Sequence, residues 1–325
     1  MQKTSRTLSL LTLVFLAGCQ RASPDAVEPA RPPVTPNAAE PALAKAIIQE
    51  EVRRFTSKGR VVAIGDVHGD LAATRAALRL AGAINEQDQW VGGDLFVVQT
   101  GDHLDRGDDE PQIATLFLRL EAEARDAGGA FIVLLGNHEL MNAAGDFRYV
   151  TPDGLADFGG EEGRRRAFGP GGDAARSLGQ LSLYAIVDDT LFSHAGVSPR
   201  DLDLGLEELS MEARAWLRRE EPKVPRALLD SEGIVWTRRY GGVPAPEDCA
   251  AAREVLARLK LARMVVGHSP QPHINAVCEG TVWRIDVGLA RHYGGPVEIL
   301  AVDAGVASTR AAVAGEPGRV KADSE

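Results

Sequence analysis

Three times in the first half of the chain an apolar run stops at a glycine and delivers a polar cluster at its tip. The stretches are "VVAIGDVHGD" (61–70), "FVVQTGDHLDRGD" (96–108) and "FIVLLGNHE" (131–139). A short, uniformly apolar run bounded by glycine reads as a strand buried on both faces, as in parallel sheets. A carboxylate or imidazole at the end of such a strand leaves water and needs a partner or a metal. Between these runs the pattern changes to helical. Leu71–Leu80 reads as a helix with Asp70 as its N-cap, and Asp109–Arg125 as a second, with Pro111 in its first turn. Strand–helix–strand–helix–strand indicates an α/β unit with largely parallel pairing.

Two later runs end the same way, in "SHAG" (193–196) and "VGHS" (266–269). Ligands of open α/β sheets gather beyond the carboxyl ends of the strands, so five tips far apart in sequence can converge. Their candidate ligands are Asp66, His68, Asp102, Asn137, His194 and His268, a set of nitrogen and oxygen donors without a thiolate. Such donors suit Mn²⁺, Fe or Zn²⁺. Six are too many for one tetrahedral site and fit two sites that share a carboxylate, which activates water and clamps a phosphoryl group.

The remainder of the chain is read more coarsely. "ALAKAIIQEEVRRF" (42–55) has helical periodicity, and Gly59 breaks it before a strand at 60–64. Residues 140–180 are rich in glycine and charge and read as a helical or irregular insertion over one face. "LSLYAIVDD" and "TLFSHAG" form an expected hairpin turning at Asp188 and Asp189, followed by an amphipathic stretch at 206–230. The last third reads as short strands, and the small, charged tail 305–325 is expected to fray into disorder.

The N-terminus stands apart from the domain. Lys3 and Arg6 precede the apolar segment Leu8–Ala17, too short to span a bilayer and suited to a secretory signal over 1–18. It ends in "LAGC", which resembles a bacterial lipobox and makes Cys19 the expected lipidation site. Gln20 rather than aspartate points to the outer membrane by the bacterial sorting rule. Residues 19–42, rich in proline and alanine, then form a tether, and 43–304 form the domain. This places the protein on the periplasmic side of the envelope, held to the membrane only by lipid. A net charge of −10 argues against nucleic acid as a partner. Cys249 and Cys278 have no metal-site spacing, and whether they pair stays open at this level.

D-x-H, G-D-x-x-D-R-G and G-N-H-E followed by two isolated histidines resemble the metal-binding pattern of the calcineurin-like metallophosphoesterases. "GDHLDRG" resembles the phosphoprotein phosphatase branch, and "GNHELMNAAGDFRYVTPDGLADFG" the Shewanella-like protein phosphatases. The resemblance spans roughly residues 58–303. It implies an α/β fold of two central β-sheets forming a sandwich flanked by helices, with two divalent metal ions per chain, Mn²⁺ ahead of Fe or Zn²⁺. Carried over by position, Asp66, His68 and Asp102 hold the first metal and Asn137, His194 and His268 the second, with Asp102 bridging. His138 then protonates the leaving oxygen, with Asp105 as its acidic partner. Arg106 binds phosphate, as does Arg238 of "WTRR", while Arg239 is expected to face solvent. Asp286 is a candidate support behind His268 or a bound water. The implied activity is phosphomonoester hydrolysis by metal-activated water, on phospho-Ser, -Thr or -Tyr of a protein or on a small phosphoester. Two alternatives stand beside it, a hydrolase of nucleotides or dinucleoside polyphosphates and a non-catalytic binding lipoprotein.

Overall fold

The first strand motif, Val61–Ile64, is buried at every position and lies between strands on both sides. The computed structural model describes residues 53–313 and the backbone of 316–320. Its strands and helices, in chain order, are β1 (Arg54–Phe55), β2 (Val61–Ile64), α1 (Leu71–Leu80), β3 (Phe96–Gln99), α2 (Glu110–Asp126) and β4 (Ala130–Val133). Then come α3 (Asn137–Ala143), α4 (Pro152–Ala156), α5 (Glu161–Phe168), α6 (Asp173–Leu178), β5 (Tyr184–Val187) and β6 (Thr190–Ser193). The remainder comprises α7 (Pro199–Leu204), α8 (Leu206–Leu217), α9 (Pro246–Leu259), β7 (Arg263–Val266), β8 (Asn275–Val277), β9 (Val282–Arg284), β10 (Glu298–Asp303), β11 (Val306–Val313) and β12 (Glu316–Val320).

Among the described residues the strands form two six-stranded sheets, ordered β12-β11-β10-β2-β3-β4 and β1-β5-β6-β7-β9-β8. β2, β3 and β4 run parallel, as their intervening helices require, and β6, β7 and β9 run parallel in the other sheet. Val62, Val98 and Ile299 of the first sheet share one apolar cluster with Ala185, Phe192 and Val265 of the second, so the two sheets face each other as a sandwich. A second cluster packs helices α5, α6, α8 and α9 over the outer face of β5, β6 and β7. Asp70 caps α1 as expected, its Oδ1 accepting from the Ala73 amide at 2.9 Å. Residues 140–180 carry the three short helices α4 to α6, and the β5–β6 hairpin turns at Asp188 and Asp189.

Two expectations need correction, and one open question is answered. The helical pattern of 42–55 lies mostly outside the described residues, and its last part, Arg54–Phe55, is a strand paired in parallel with β5. Without that pairing the edge of β5 would lack a partner. The tail does not begin at Gly305. Ala304 and Gly305 both take positive φ, 48° and 81°, the geometry of a two-residue hairpin turn. That turn sends β11 back along the full length of β10. Cys249 and Cys278, left open above, are joined in a disulfide. The signal over 1–18, Cys19 and the tether over 19–42 lie outside the described residues.

Candidate metal centre and active site

Backbone strain collects at the strand tips. His68, Asp102, Asp105, Arg106 and His268 have φ of +41°, +53°, +67°, +70° and +68°. Non-glycine residues hold this left-handed region only where the surroundings enforce it. Part of the enforcement comes from Glu139, at the start of α3 and fully buried. Its carboxylate accepts from the amides of Gly136 (2.7 Å), Asp102 (2.9 Å), His103 (3.0 Å) and Leu104 (3.2 Å). One side chain thereby ties the second tip to the third. Glycine is required at two points for the same close approach. A Cβ on Gly136 would meet Asp102 Oδ1 at 2.2 Å, and one on Gly267 would meet Asp66 Oδ1 at 2.3 Å.

All six candidate ligands are buried. Asp102 is the hub. Its Oδ1 accepts from the His138 amide at the start of α3 (2.9 Å), and its Oδ2 faces three imidazoles. These are His194 Nε2 at 3.4 Å, His138 Nε2 at 3.8 Å and His68 Nε2 at 3.9 Å. Two potential ligand clusters share this carboxylate, His68–Asp102–His138 and Asp102–His194–His268. Asn137 joins the second, its Oδ1 2.9 Å from His194 Nε2. Asp66 accepts from the His268 amide at 3.1 Å.

Three of the histidines are held in one way. A backbone carbonyl anchors one ring nitrogen: Leu104 O to His68 Nδ1 (3.0 Å), Thr100 O to His194 Nδ1 (2.9 Å), and Trp236 O to His268 Nε2 (3.1 Å). The opposite nitrogen turns inward. An outward carbonyl fixing the tautomer is the usual support of a metal-ligating histidine. His194 Nε2 and His268 Nδ1 then lie 3.2 Å apart beside the Asn137 oxygen, a convergence of electron-rich atoms that a divalent cation satisfies.

The charges point the same way. Burial, with repulsion from Asp286 and Asp102, raises the Asp66 carboxyl well above the usual range. Burial lowers His68 to about 4, and burial with His194 beside it lowers His268 to about 3, so both rings are neutral and ready to ligate. Burial alone would raise Asp102, but His194, His138 and His68 hold it well below the carboxylate range. The donor set therefore fits two cations around Asp102.

His138 is held differently. Its Nδ1 meets Asp105 Oδ2 at 2.6 Å. Burial opposes its charge, yet Asp102 and Asp105 together push its pKa up to about 9. Asp105 is in turn fixed at Oδ1 by Asn142 Nδ2 at 2.9 Å.

Arg106 makes no ion pair with any described residue, and its buried Nε has no hydrogen-bond partner. Its guanidinium lies 3.9 Å from the Tyr149 ring centre and 5.9 Å from that of Tyr293. It opens with His68, Arg291 and His292 onto a cleft of about 410 Å³. Arg238 is exposed, its one side-chain hydrogen bond among the described residues going to Ser269 Oγ at 3.3 Å, and its charge lowers His268. Arg239 does not face solvent freely. It is half-buried and paired with Glu232 (3.0 Å) and Asp248 (3.4 Å). The Asp286 carboxylate caps a turn, accepting from the Gly288 amide at 2.9 Å, and makes no hydrogen bond to His268.

Residues 59–272 match the family model of the calcineurin-like phosphoesterases. The chain belongs to the calcineurin-like phosphoesterases. Shewanella-like protein phosphatase 2 of Arabidopsis thaliana is 34% identical, over 73% of each chain. Shewanella-like protein phosphatase 1 of Plasmodium berghei is 29% identical, over 73% of this chain and 70% of its own. The cold-active protein tyrosine phosphatase of a psychrophilic Shewanella species superposes with a TM-score of 0.68 at 24% identity, covering 81% of this chain and 80% of that one, a likeness of fold. With the paired ligand clusters, the calcineurin-like assignment makes this chain a metal-dependent phosphomonoester hydrolase with a dinuclear centre.

Glu139, Asn142, Tyr149 and Tyr293 were not legible as site residues in the sequence. Glu139 alone carried a local signal, a glutamate in the first turn of a helix that opens at Gly136. The two tyrosines come from segments whose placement depends on tertiary packing.

Proposed function

We propose that this phosphoesterase is a protein phosphatase, cleaving phosphate from phosphorylated side chains of proteins. The observation that carries the reading is the contrast among the four histidines. Three are anchored by backbone carbonyls with the opposite nitrogen turned inward, whereas His138 alone is anchored by a carboxylate, which together with Asp102 pushes its pKa up to about 9. The names of the two Shewanella-like relatives support a protein substrate.

Asp66, His68 and Asp102 would hold one cation and Asn137, His194 and His268 the other, with Asp102 shared, and Mn²⁺ is the expected occupant over Fe or Zn²⁺. Cations bound there supply positive charge to the phosphoryl oxygens and acidify a water. The chain supplies the rest. Arg106 presents a planar fork, without an ion-pair partner among the described residues, to two phosphate oxygens, and Arg238, beside His268, adds a second positive charge. His138 delivers its Nε2 proton to the departing oxygen, with Asp105 holding the ring at Nδ1. The disulfide accords with an oxidising compartment and so with an exported, lipid-anchored protein on the periplasmic side of the outer membrane.

The test is a side-by-side assay of the Mn²⁺-loaded protein on phosphoserine, phosphothreonine and phosphotyrosine peptides and on diadenosine tetraphosphate. Faster turnover of a phosphopeptide is expected. A clear preference for the dinucleotide would replace the reading with that of a dinucleoside polyphosphate hydrolase.

A further inference from the structure

The largest fully buried side chain in the described structure is a charged one, Arg164 of α5, and it comes from the inserted segment rather than from a strand tip. All five of its N–H donors are committed. Nε donates to Asn142 Oδ1 (2.8 Å), Nη1 to Glu110 Oε2 (2.6 Å) and the Gly154 carbonyl (3.0 Å), and Nη2 to Glu110 Oε1 (3.0 Å) and Asp105 Oδ1 (3.5 Å). Phe168 and Phe158 flank the guanidinium at 4.6 and 5.2 Å.

Neutralising Glu110 would require only two of those contacts, and burying an ion pair is weak evidence for stability in itself. The other contacts lead elsewhere. Three routes run from Arg164 to Asp105. The guanidinium touches Oδ1 directly. Asn142, whose oxygen is held by Arg164, donates its Nδ2 to the same Oδ1 at 2.9 Å. Glu110, held by both terminal nitrogens of Arg164, accepts the Asp105 amide at 2.6 Å and so fixes a backbone of φ +67°. Oδ1 and the main chain of Asp105 are thus anchored from one side, leaving Oδ2 to orient His138 at 2.6 Å. A carboxylate free to rotate would not keep the imidazole aimed.

We infer that Arg164 is a positioning residue for leaving-group protonation, through which the insertion at 140–180 sets the aim of the Asp105–His138 pair. The inference rests on the reading of His138 as the proton donor. The planar fork matters more than the charge, because a lysine ammonium cannot reach Asn142, Glu110 and Asp105 together.

The experiment compares Arg164→Lys with His138→Asn on two substrates, a phosphoserine peptide whose alkoxide needs a proton and p-nitrophenyl phosphate whose leaving group does not. Metal content and thermal unfolding are measured alongside. A second readout is the low-field proton on His138 Nδ1 in the metal-free protein, recognised by its loss in His138→Asn. The expected result for Arg164→Lys is a loss on the peptide at least ~10-fold larger than on the aryl ester, with metals retained and the low-field resonance shifted or broadened. If His138→Asn is selective but Arg164→Lys slows both substrates equally, or leaves the resonance unmoved, Arg164 only packs, and the inference falls while the His138 reading stands. If His138→Asn itself shows no selectivity, both fall. Should Arg164→Lys not fold, the double variant Arg164→Met/Glu110→Gln, which leaves no unpaired buried charge, is judged by the same criterion. Failure of both to fold marks the cluster as architectural and overturns the inference.

Discussion

Asp102 shows how much one side chain can be asked to do. Its two oxygens serve different elements, Oδ1 the first amide turn of α3 and Oδ2 the imidazoles of both ligand clusters. Asp102→Asn keeps the shape, because an amide oxygen can still accept from His138. It removes the negative charge that both cations would share. The expected outcome is a folded protein that has lost most of its metal and nearly all activity. Metal analysis returning two full equivalents would remove Asp102 from the bridging role. Arg106 allows a separate test, since it is a cation without a carboxylate partner among the described residues and with a buried, unpartnered Nε. Arg106→Lys keeps the charge and loses the fork, so kcat/KM should fall roughly ten- to a hundredfold, the range for losing a charge-assisted hydrogen bond. Unchanged kinetics would mean that phosphate does not meet this group.

At the level of elements, the loop after β3 is held less by its own sequence than by Glu139. Four buried amides converge on that carboxylate, and Glu139→Ala would leave them without an acceptor. Each unsatisfied buried donor costs about 1–3 kcal/mol, so several kcal/mol of stability should disappear together with metal affinity. Thermal unfolding within a degree or two of wild type would contradict this account. The same loop explains what could be read beforehand. β2, β3 and β4 were visible because a continuous apolar run ending in glycine has few other uses, and α1 because Asp70 caps an amphipathic pattern. The ligand residues were visible because they follow those runs directly. Glu110, Asn142 and Arg164 were not, since each looks like an ordinary polar residue on a helix until the helices pack. β11 was missed for a smaller reason. Its residues are mostly small, with alanine in place of large β-branched or aromatic side chains, and the Ala304–Gly305 turn that starts it lacks the usual asparagine or aspartate before glycine.

Across the whole molecule the ligands are divided between the sheets. Asp66, His68, Asp102 and Asn137 follow strands of one, and His194 and His268 follow strands of the other. Bound cations would therefore tie the two faces of the sandwich, and a chelator should lower the unfolding temperature as well as abolish activity. Equal unfolding temperatures with and without metal would show that the sheets hold without the tie. The disulfide is a second tie, and it works on the other side of β7. Cys249 lies in α9 and Cys278 in the turn between β8 and β9, 29 residues apart. The enclosed stretch contains β7, Gly267 and His268. Closing a loop of that length removes conformational freedom from the unfolded chain worth about 3–4 kcal/mol in the chain-entropy model. For a domain of this size that corresponds to roughly 10 °C in unfolding temperature. Neither cysteine touches the ligand cluster, so the effect should be on stability and not on chemistry. Cys249→Ser/Cys278→Ser is expected to melt roughly 10 °C lower while retaining specific activity at temperatures well below its transition. A reductant should lower wild type to the same midpoint and leave the double variant unmoved. A reductant that shifts the variant equally would show that the lost stability never resided in this bond.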